Sequence, residues 1–208
     1  MKDPTHTETI SLTETISRTD RSRRNLRARL RKQRRDLDLD VHQAASREVV
    51  RRIQTTFQFL NAKHIGTYWQ NDGEINLRGL QTRASQLQYL PVLQESVWPW
   101  AGRGLLFGEA TQPLLKNDYG IPEPVQTTKQ IFDLDFVLVP LVGFDRIGNR
   151  LGMGGGYYDR ALSKDSQRTV FKLGVAYSFQ EVPSIQGCSW DVKLDGIVTE
   201  KEIIFTNP

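Results

Sequence analysis

The most constraining feature of this sequence is an uninterrupted run of apolar residues, FVLVPLVGF, at positions 136–144. A strand with one face in water alternates apolar and polar residues, whereas an unbroken apolar run is typical of a parallel strand covered on both faces. The segments VFKLGVAY and LDGIVTEKEIIF repeat this character, and the helical sequence YYDRALSK lies between the central run and the first of them. Strands that alternate with helices predict an α/β fold: an open, mostly parallel sheet flanked by helices in a Rossmann-like three-layer arrangement.

The length of the chain fits a single domain. With 208 residues, of which 38% are hydrophobic, the chain is long enough to bury a full core. We place this domain at residues 21–208, after a tail over residues 1–20 that is rich in Thr, Ser and Glu and is predicted to be disordered. Leucines at helical spacing predict a basic N-terminal helix over residues 21–39, and VHQAASREVVRRIQTTFQFL predicts a second helix over residues 41–60.

The middle of the chain predicts further short elements. HIGTYW at residues 64–69 reads as a strand, and INLRGLQTRASQL at residues 75–87 reads as a helix after a polar turn. The segments YLPVL and VWPWAGRGLLF are predicted to be short strands with long connections. The two prolines of NDYGIPEPV favour extended backbone and exclude a helix there.

Several functional classes are disfavoured by composition. The single cysteine, Cys188, excludes an internal disulfide, and His6, His42 and His64 lack the spacing of a zinc site. No apolar run approaches the roughly 20 residues of a membrane helix, and the first residues lack the apolar segment of a signal peptide. We therefore expect a cytoplasmic protein without a membrane partner, and a monomer.

Charge is distributed unevenly along the chain. Residues 18–35 contain ten Arg or Lys and one Asp, so the rest of the chain has 28 − 10 = 18 basic and 24 − 1 = 23 acidic residues. Such a cluster raises the possibility of a nucleic acid or another polyanion as partner. The alternative is a solvated helix face, and no base-stacking aromatic residues are interleaved in the run.

A glycine-rich turn, RLGMGGGYYDR at residues 150–160, follows the central apolar strand. At the carboxyl edge of an open α/β sheet, such a turn before a helix lets an anion approach unpaired backbone N–H groups, so it is suited to phosphate. The spacing Gly-x-Gly-Gly-Gly fits neither a P-loop nor the dinucleotide fingerprint. The alternative is a turn whose glycines only supply positive φ angles.

The stretch GFDRIGNRLGMGGGYYDR resembles the signature of the 5-formyltetrahydrofolate cyclo-ligase family, whose members are also called methenyltetrahydrofolate synthetases. Further blocks agree in order: RRNLRARLRKQRR, YWQNDGEIN, YLPV, YGIPEP, DFVLVPLVGFD and WDVKLDGIVTE. The resemblance covers about residues 21–205. It implies an enzyme that converts 5-formyltetrahydrofolate into 5,10-methenyltetrahydrofolate, with ATP as co-substrate, Mg²⁺ as cofactor, and ADP and phosphate as products.

The resemblance also implies roles for individual residues. Arg150 and Tyr157 are the expected catalytic residues. The expected ATP-binding residues are Arg23, Arg24, Asn25, Leu26 and Arg27 of the first helix, with Arg150, Leu151, Gly152, Met153, Gly154, Gly155, Gly156, Tyr157 and Tyr158 of the loop. Arg23 stands where many relatives have lysine, and Met153 stands at a variable position. The other basic residues of the helix, among them Arg29, Arg31, Lys32 and Arg34, receive no role beyond a solvated face.

For the folate, the resemblance implies contacts from Arg27, Trp69, Glu74, Met153, Gly154, Gly155, Gly156 and Tyr157. The Glu74 carboxylate would accept hydrogen bonds from the pterin, and Trp69 would cover its ring. Core packing is the alternative for Trp69 and for the two tyrosines, Tyr157 and Tyr158. A charge at a helix N-terminus is the alternative for Glu74.

For the metal, the resemblance implies that Asp159 and Asp191 hold Mg²⁺ together with ATP oxygens. The alternatives are a first-turn carboxylate for Asp159 and a surface-loop aspartate for Asp191. Trp190 stands where many relatives have histidine. Two other functions remain open at this point: a nucleic-acid-binding module that uses residues 18–35, and an ATP-binding relative with altered folate chemistry.

Overall fold

The centre of the fold is a seven-stranded sheet. The computed structural model describes residues 5–94, 104–163, 169–186 and 191–206, with the side chains from residue 20 onward. In chain order, the strands of this sheet are β1 (His64–Gly66), β2 (Leu87–Gln94), β3 (Gly104–Glu109), β6 (Phe136–Pro140), β9 (Phe171–Val175), β10 (Gly196–Val198) and β11 (Ile203–Phe205). Two small antiparallel pairs lie outside it: β4 (Leu114–Lys116) with β5 (Pro122–Pro124), and β7 (Gly143–Phe144) with β8 (Arg150–Leu151).

The spatial order of the sheet is β11-β10-β9-β6-β1-β2-β3. The five strands from β10 to β2 are mutually parallel, and only the edge strands β11 and β3 are antiparallel to their neighbours. The predicted α/β fold with an open, mostly parallel sheet is therefore confirmed.

Strand β6 lies in the middle of the sheet, between β9 and β1. Its side chains alternate between two core clusters: Phe136 and Leu138 pack on one face, and Val137 and Val139 pack on the other. All four are fully buried. This confirms that the apolar run is a strand covered on both faces.

Helices flank the sheet as α1 (Thr5–Arg35), α2 (Leu39–Ile53), α3 (Phe57–Asn61) and α4 (Tyr157–Leu162). The sequence predicted one helix over residues 41–60, but this helix is interrupted between α2 and α3. The cause is Thr56, whose side chain accepts a hydrogen bond from the Phe59 N–H and caps a new helix.

The N-terminal helix also begins earlier than predicted. Its backbone is helical from Thr5, where the composition of residues 1–20 predicted a tail without regular structure. Low apolar content argues against burial, but it does not prevent an existing helix from extending by backbone hydrogen bonds. The start of the folded domain at residue 21 stays a prediction.

The helix predicted over residues 75–87 is wrong, because residues 75–86 have no regular structure and Leu87 begins β2. One local and one tertiary hydrogen bond replace the helical ones. The Asn76 side chain accepts from the Arg78 N–H at 2.9 Å, and the Asn76 N–H donates to Ser46 Oγ on α2 at 3.0 Å. Ile75, Leu77 and Leu80 still reach the core, at spacings of an irregular chain.

The remaining predicted elements are largely found. HIGTYW contains β1, YLPVL lies in β2, and the predicted YYDRALSK helix is α4. GLLF, residues 104–107, forms the first part of β3. Residues 97–103 of VWPWAGRGLLF, Cys188 and Trp190 lie outside the described residues. Among the residues that the structure describes, no helix has both the length and the apolar character needed to cross a bilayer.

Candidate active site

A cavity of about 520 Å³ lies where the parallel strands end. Tyr68 and Trp69 follow β1, Pro140 ends β6, and the glycine-rich turn follows β8. This is the edge of an open α/β sheet at which ligands bind. The lining residues are Tyr68, Trp69, Asn71, Glu74, Pro91, Leu93, Leu105, Asn117, Tyr119, Ile121, Pro122, Glu123, Pro140, Arg150, Gly152, Met153, Gly154, Gly155, Gly156, Tyr157, Tyr158 and Asp159.

The glycine-rich turn needs its glycines for two separate reasons. Gly154 and Gly156 have φ angles of 105° and 65°, which residues with a Cβ rarely adopt. At Gly155, an added Cβ would lie 2.9 Å from the Tyr157 ring. The turn therefore leaves its main chain bare along the wall of the cavity, as the phosphate hypothesis requires.

Helix α1 lies along the site and contributes a row of arginines four residues apart. Arg23 Nη1 donates to Asp191 Oδ2 at 2.9 Å, and Arg27 Nε donates to the Gly152 carbonyl at 2.8 Å. Arg31 Nε donates to Asp72 Oδ2 at 2.8 Å. These side chains share one face of the helix, and that face is turned to the site.

The expectation of a solvated face is therefore wrong for Arg31 and Arg34. Arg34 is only 2% exposed and is among the most deeply buried side chains of the protein. It sits beneath the cavity, between the turn that carries Glu74 and the glycine-rich turn. A run of like charges gave no sign of which arginine turns inward.

Six predicted ATP-binding residues do not line the cavity. Two of them still contact other predicted site residues, Arg23 through Asp191 and Arg27 through Gly152. Arg24 and Asn25 are exposed on α1. Leu26 packs against the buried cluster around Leu30, and Leu151 is itself fully buried in that cluster. Leu26 and Leu151 thus have packing roles that hold α1 and β8 together.

Glu74 lies at the inner end of the cavity and is 9% exposed. Its Oε2 accepts the Asn71 N–H at 3.1 Å, and its Oε1 lies 3.8 Å from Arg34 Nη1. Burial raises the pKa of Glu74 to about 7, although the Arg34 charge and the Asn71 hydrogen bond oppose this rise. The carboxyl group therefore changes its charge state near neutral pH, which is typical of functional sites.

Trp69 forms part of the cavity wall. The Arg78 guanidinium lies over its ring, 4.2 Å from the ring centroid. The ring is partly exposed and belongs to neither of the two large core clusters among the described residues. This placement favours the wall of a binding site over core packing.

The two tyrosines of α4 combine both roles expected for them. Tyr157 and Tyr158 pack against the core cluster beneath the sheet and also line the cavity. The Tyr158 hydroxyl is buried and has no hydrogen-bond partner among the described residues. Its pKa lies above the ordinary value, because of burial first and then the nearby Glu74 charge. Tyr158, expected to bind ATP, therefore has its hydroxyl on the Glu74 side of the cavity.

Asp159 lines the cavity, whereas Asp191 does not, although its neighbour Val192 contacts the Asp159 carboxylate. The Asp159 carboxylate accepts a hydrogen bond from Arg150, and the Val192 N–H lies 3.4 Å from its Oδ1. Arg150 also donates to the Val192 carbonyl, so it ties the loop after Asp191 to α4. Among the described residues, no cluster of three or more His, Cys, Asp or Glu side chains could hold a metal ion.

Sequence reasoning missed part of the site. The β4–β5 hairpin contributes Asn117, Tyr119, Ile121 and Glu123 to the cavity, and Tyr68 and Asn71 contribute beside Trp69 and Glu74. Glu123 anchors this hairpin, since its Oε1 accepts the Leu93 N–H at 2.9 Å and Asn117 Nδ2 at 2.6 Å. The block YGIPEP was the available signal, because its last residues form β5.

Comparison with known proteins decides the family. The sequence model of the 5-formyltetrahydrofolate cyclo-ligase family matches residues 19–200. The chain belongs to this family. It is therefore a ligase of one-carbon folate metabolism, and the resemblance and enzyme class expected from the sequence are confirmed.

Individual relatives agree with this assignment over nearly their full lengths. The chain is 36% identical over 184 residues to the 5-formyltetrahydrofolate cyclo-ligase of Haemophilus influenzae, covering 85% of this chain and 96% of that protein. It is 31% identical over 182 residues to the Escherichia coli enzyme of the same name, with coverages of 84% and 98%. The solved structure of Aquifex aeolicus 5,10-methenyltetrahydrofolate synthetase superposes with a TM-score of 0.74 at 30% identity, covering 89% of this chain and 93% of that one.

Proposed function

We propose that this protein converts 5-formyltetrahydrofolate into 5,10-methenyltetrahydrofolate, with ATP as phosphoryl donor and Mg²⁺ as cofactor. One observation carries the proposal: Glu74, Trp69 and the bare glycine-rich turn border a single cavity. A pterin and a phosphate therefore have separate binding groups within reach of one another. Fold alone would not justify this, because function depends on the site.

The pterin would bind at the inner end of the cavity. Its amino group and ring N–H are donors, and the Glu74 carboxylate offers two acceptor oxygens. Trp69 would cover the ring, and the buried Tyr158 hydroxyl, which has no hydrogen-bond partner in the described part of the chain, would gain one. This arrangement orients the formyl group toward the glycine-rich turn.

The ATP phosphates would bind along residues 152–156. Gly154, Gly155 and Gly156 carry no side chain that could obstruct the phosphate from their N–H groups. Arg27 fixes the turn through the Gly152 carbonyl and adds positive charge beside it. Arg150 lines the same cavity, so its charge would stabilise negative charge that develops during phosphoryl transfer.

The chemistry explains why both substrates must meet. The formyl oxygen is an amide oxygen and a very poor leaving group. Transfer of the terminal phosphoryl group of ATP to this oxygen releases ADP and makes the oxygen a phosphate ester. Attack by N10 on the formyl carbon closes the five-membered ring. Loss of the N10 proton and cleavage of the bond between that carbon and the phosphorylated oxygen then release inorganic phosphate and leave the methenyl cation. The protein contributes position, charge and exclusion of water.

Asp159 and Asp191 would hold Mg²⁺ together with ATP oxygens. The donor set fits, since Mg²⁺ takes one or two carboxylates beside phosphate oxygens and water. When bound, the ion would neutralise phosphate charge during transfer. Each carboxylate pairs with an arginine, Asp159 with Arg150 and Asp191 with Arg23. Both arginines would then be released to the phosphates.

The test is a rise in methenyltetrahydrofolate absorbance when the protein is mixed with 5-formyltetrahydrofolate, ATP and Mg²⁺. We expect this rise to depend on all three additions and to be lost in the Glu74→Gln variant. The matched control is Glu48→Gln, since Glu48 pairs with Arg51 on α2 outside the cavity. Absence of product with the folded wild-type protein would overturn the proposal.

Binding measurements separate the remaining alternatives. ATP binding without folate binding would favour a relative with altered chemistry. Submicromolar, salt-sensitive nucleic-acid binding without ligase activity would favour the use of residues 18–35 as a binding module. The contacts of Arg23, Arg27 and Arg31 with the site weigh against that second function.

A further inference from the structure

Arg34 is a fully buried cation to which the proposed reaction gives no part. Its guanidinium donates to the Asp72 carbonyl and to Asp72 Oδ2, each at 2.8 Å, and to the Leu141 carbonyl at 3.2 Å. It also lies 4.0 Å from Met153 Sδ. One side chain of α1 thus contacts the Glu74 turn, the end of the central strand and the glycine-rich turn.

The contact with Asp72 fixes a backbone of unusual shape. Asp72 has a φ of 50°, in the left-handed region that residues other than glycine seldom occupy. Arg31 and Arg35 also bind its carboxylate, at 2.8 and 2.9 Å. Burial alone would raise the pKa of Asp72, but the three arginines hold it well below the ordinary value. The turn that leads to Glu74 is therefore clamped by permanent charges.

The contact with Glu74 is electrostatic. The 3.8 Å between Arg34 Nη1 and Glu74 Oε1 is an ion-pair separation, too long for a hydrogen bond. Arg34 therefore favours the charged carboxylate without a hydrogen bond to Oε1, which leaves this oxygen to a ligand, while Oε2 accepts the Asn71 N–H. An apolar residue at this position would fill the space, but it would not supply this charge.

We propose that Arg34 is a positioning residue for substrate binding, which holds the turn that carries Glu74 in place and stabilises negative charge on the Glu74 carboxylate. The inference rests on the proposed function, in which Glu74 binds the pterin. It deepens that function by assigning a role in substrate binding to a residue that does not line the cavity. From the sequence alone, this residue was expected on a solvated helix face.

Other ionisable groups face Glu74 and set the background for this effect. Asp72 opposes the carboxylate charge and Arg31 favours it. Tyr68, Tyr158 and Tyr177 are close enough to feel the charge, and His42 Nε2 lies 2.9 Å from the Glu74 carbonyl oxygen. Arg34 has the largest favourable effect among them.

The test compares Arg34→Met and Arg34→Lys with Arg35→Met. Arg35 binds the same Asp72 carboxylate from the protein surface, but no ion pair joins it to Glu74 among the described residues. The readout is the Glu74 carboxyl titration, followed by NMR of protein labelled with ¹³C-glutamate and assigned with Glu74→Gln. It needs no ligand, so it does not depend on the proposed activity.

We expect Arg34→Met to raise the titration midpoint of Glu74 by about one pH unit or more, with a smaller rise for Arg34→Lys and none for Arg35→Met. For a midpoint that moves from about 7 to about 8, the charged fraction at pH 7 falls about fivefold, and the Kd for 5-formyltetrahydrofolate rises by the same factor. An unchanged midpoint in Arg34→Met, or an equal rise in Arg35→Met, would refute the role of Arg34.

If Arg34→Met does not fold, steady-state kinetics of Arg34→Lys provide a second test of the role of Arg34. Arg34→Lys keeps the charge and loses the forked contact with Asp72. We expect its KM for 5-formyltetrahydrofolate to rise severalfold with little change in kcat. An unchanged KM would contradict a positioning role. Absence of folate binding by the wild-type protein would instead refute the proposed function, while the carboxyl titration would still decide whether Arg34 controls Glu74.

Discussion

Replacement of Glu74 by glutamine is expected to stabilise the protein at alkaline pH while it abolishes the proposed folate site. Glu74 is buried, and its pKa is raised from about 4.5 to about 7 by that burial, against the opposing charge of Arg34. The folded state thus favours the protonated carboxyl group. Glutamine has nearly the same shape and never ionises, so the substitution removes this pH dependence alone.

The sign follows from linkage. Since the pKa in the folded state exceeds that in the unfolded state, the stabilisation is present below pH 4.5 and is lost as pH rises through 7. At about 1.4 kcal/mol per pKa unit, the loss in the wild-type protein slightly exceeds about 3 kcal/mol above pH 8. In the variant, Arg34 keeps its ion pair with Asp72 and stays charged over this range, so it adds no pH dependence of its own.

The assay is urea unfolding of wild type and Glu74→Gln at a series of pH values from 4.5 to 8.5. The difference in unfolding free energy between the two proteins should shift in favour of the variant by about 3 kcal/mol across this range. The variant should also bind 5-formyltetrahydrofolate at least tenfold more weakly at pH 7, roughly the effect of one lost charged hydrogen bond. A difference that stays constant with pH would refute the argued burial of a titrating Glu74.

Three further predictions concern the other parts of the site. Gly155→Ala should raise the KM for ATP at least tenfold, because its Cβ would lie 2.9 Å from the Tyr157 ring. The control Gly79→Ala should leave this KM unchanged, because its Cβ would lie 4.0 Å from the nearest atom. Equal effects of the two substitutions would contradict a requirement for bare main chain at residue 155. Asp159→Asn should raise the Mg²⁺ concentration for half-maximal turnover about tenfold, and an unchanged Mg²⁺ titration would leave Asp159 as a structural partner of Arg150. Tyr158→Phe should leave the unfolding free energy unchanged or higher, because the lost hydroxyl has no partner among the described residues. The same variant should bind 5-formyltetrahydrofolate severalfold more weakly. A destabilised variant with normal affinity would argue against a contact between Tyr158 and the substrate.

The sheet and its ligand-binding edge were predictable because they depend on composition over whole segments. The apolar run around Leu138 required a strand covered on both faces, and the glycines after β8 required a bare main chain. Each of these signals extends over several residues, so one atypical residue does not obscure the pattern. The family resemblance extended this reasoning to Trp69, Glu74 and the turn, all of which the structure places around one cavity.

Single tertiary contacts were not predictable in the same way. The segment after Glu74 has helical composition, yet one hydrogen bond from Asn76 to Ser46 on α2 and one turn within the segment displace the helix. In the basic run, Arg34 and Arg35 are neighbours in sequence, but one is buried and the other is exposed. Local periodicity predicts neither outcome, because each depends on which groups the fold places next to these residues.

The most direct test of the whole account is a crystal structure with 5-formyltetrahydrofolate and a non-hydrolysable ATP analogue bound together. We expect the pterin to form hydrogen bonds with the Glu74 carboxylate, and the terminal phosphate to lie on the N–H groups of residues 154–156 with the formyl oxygen facing it. A nucleotide bound away from this turn, or a pterin that does not contact Glu74, would contradict it.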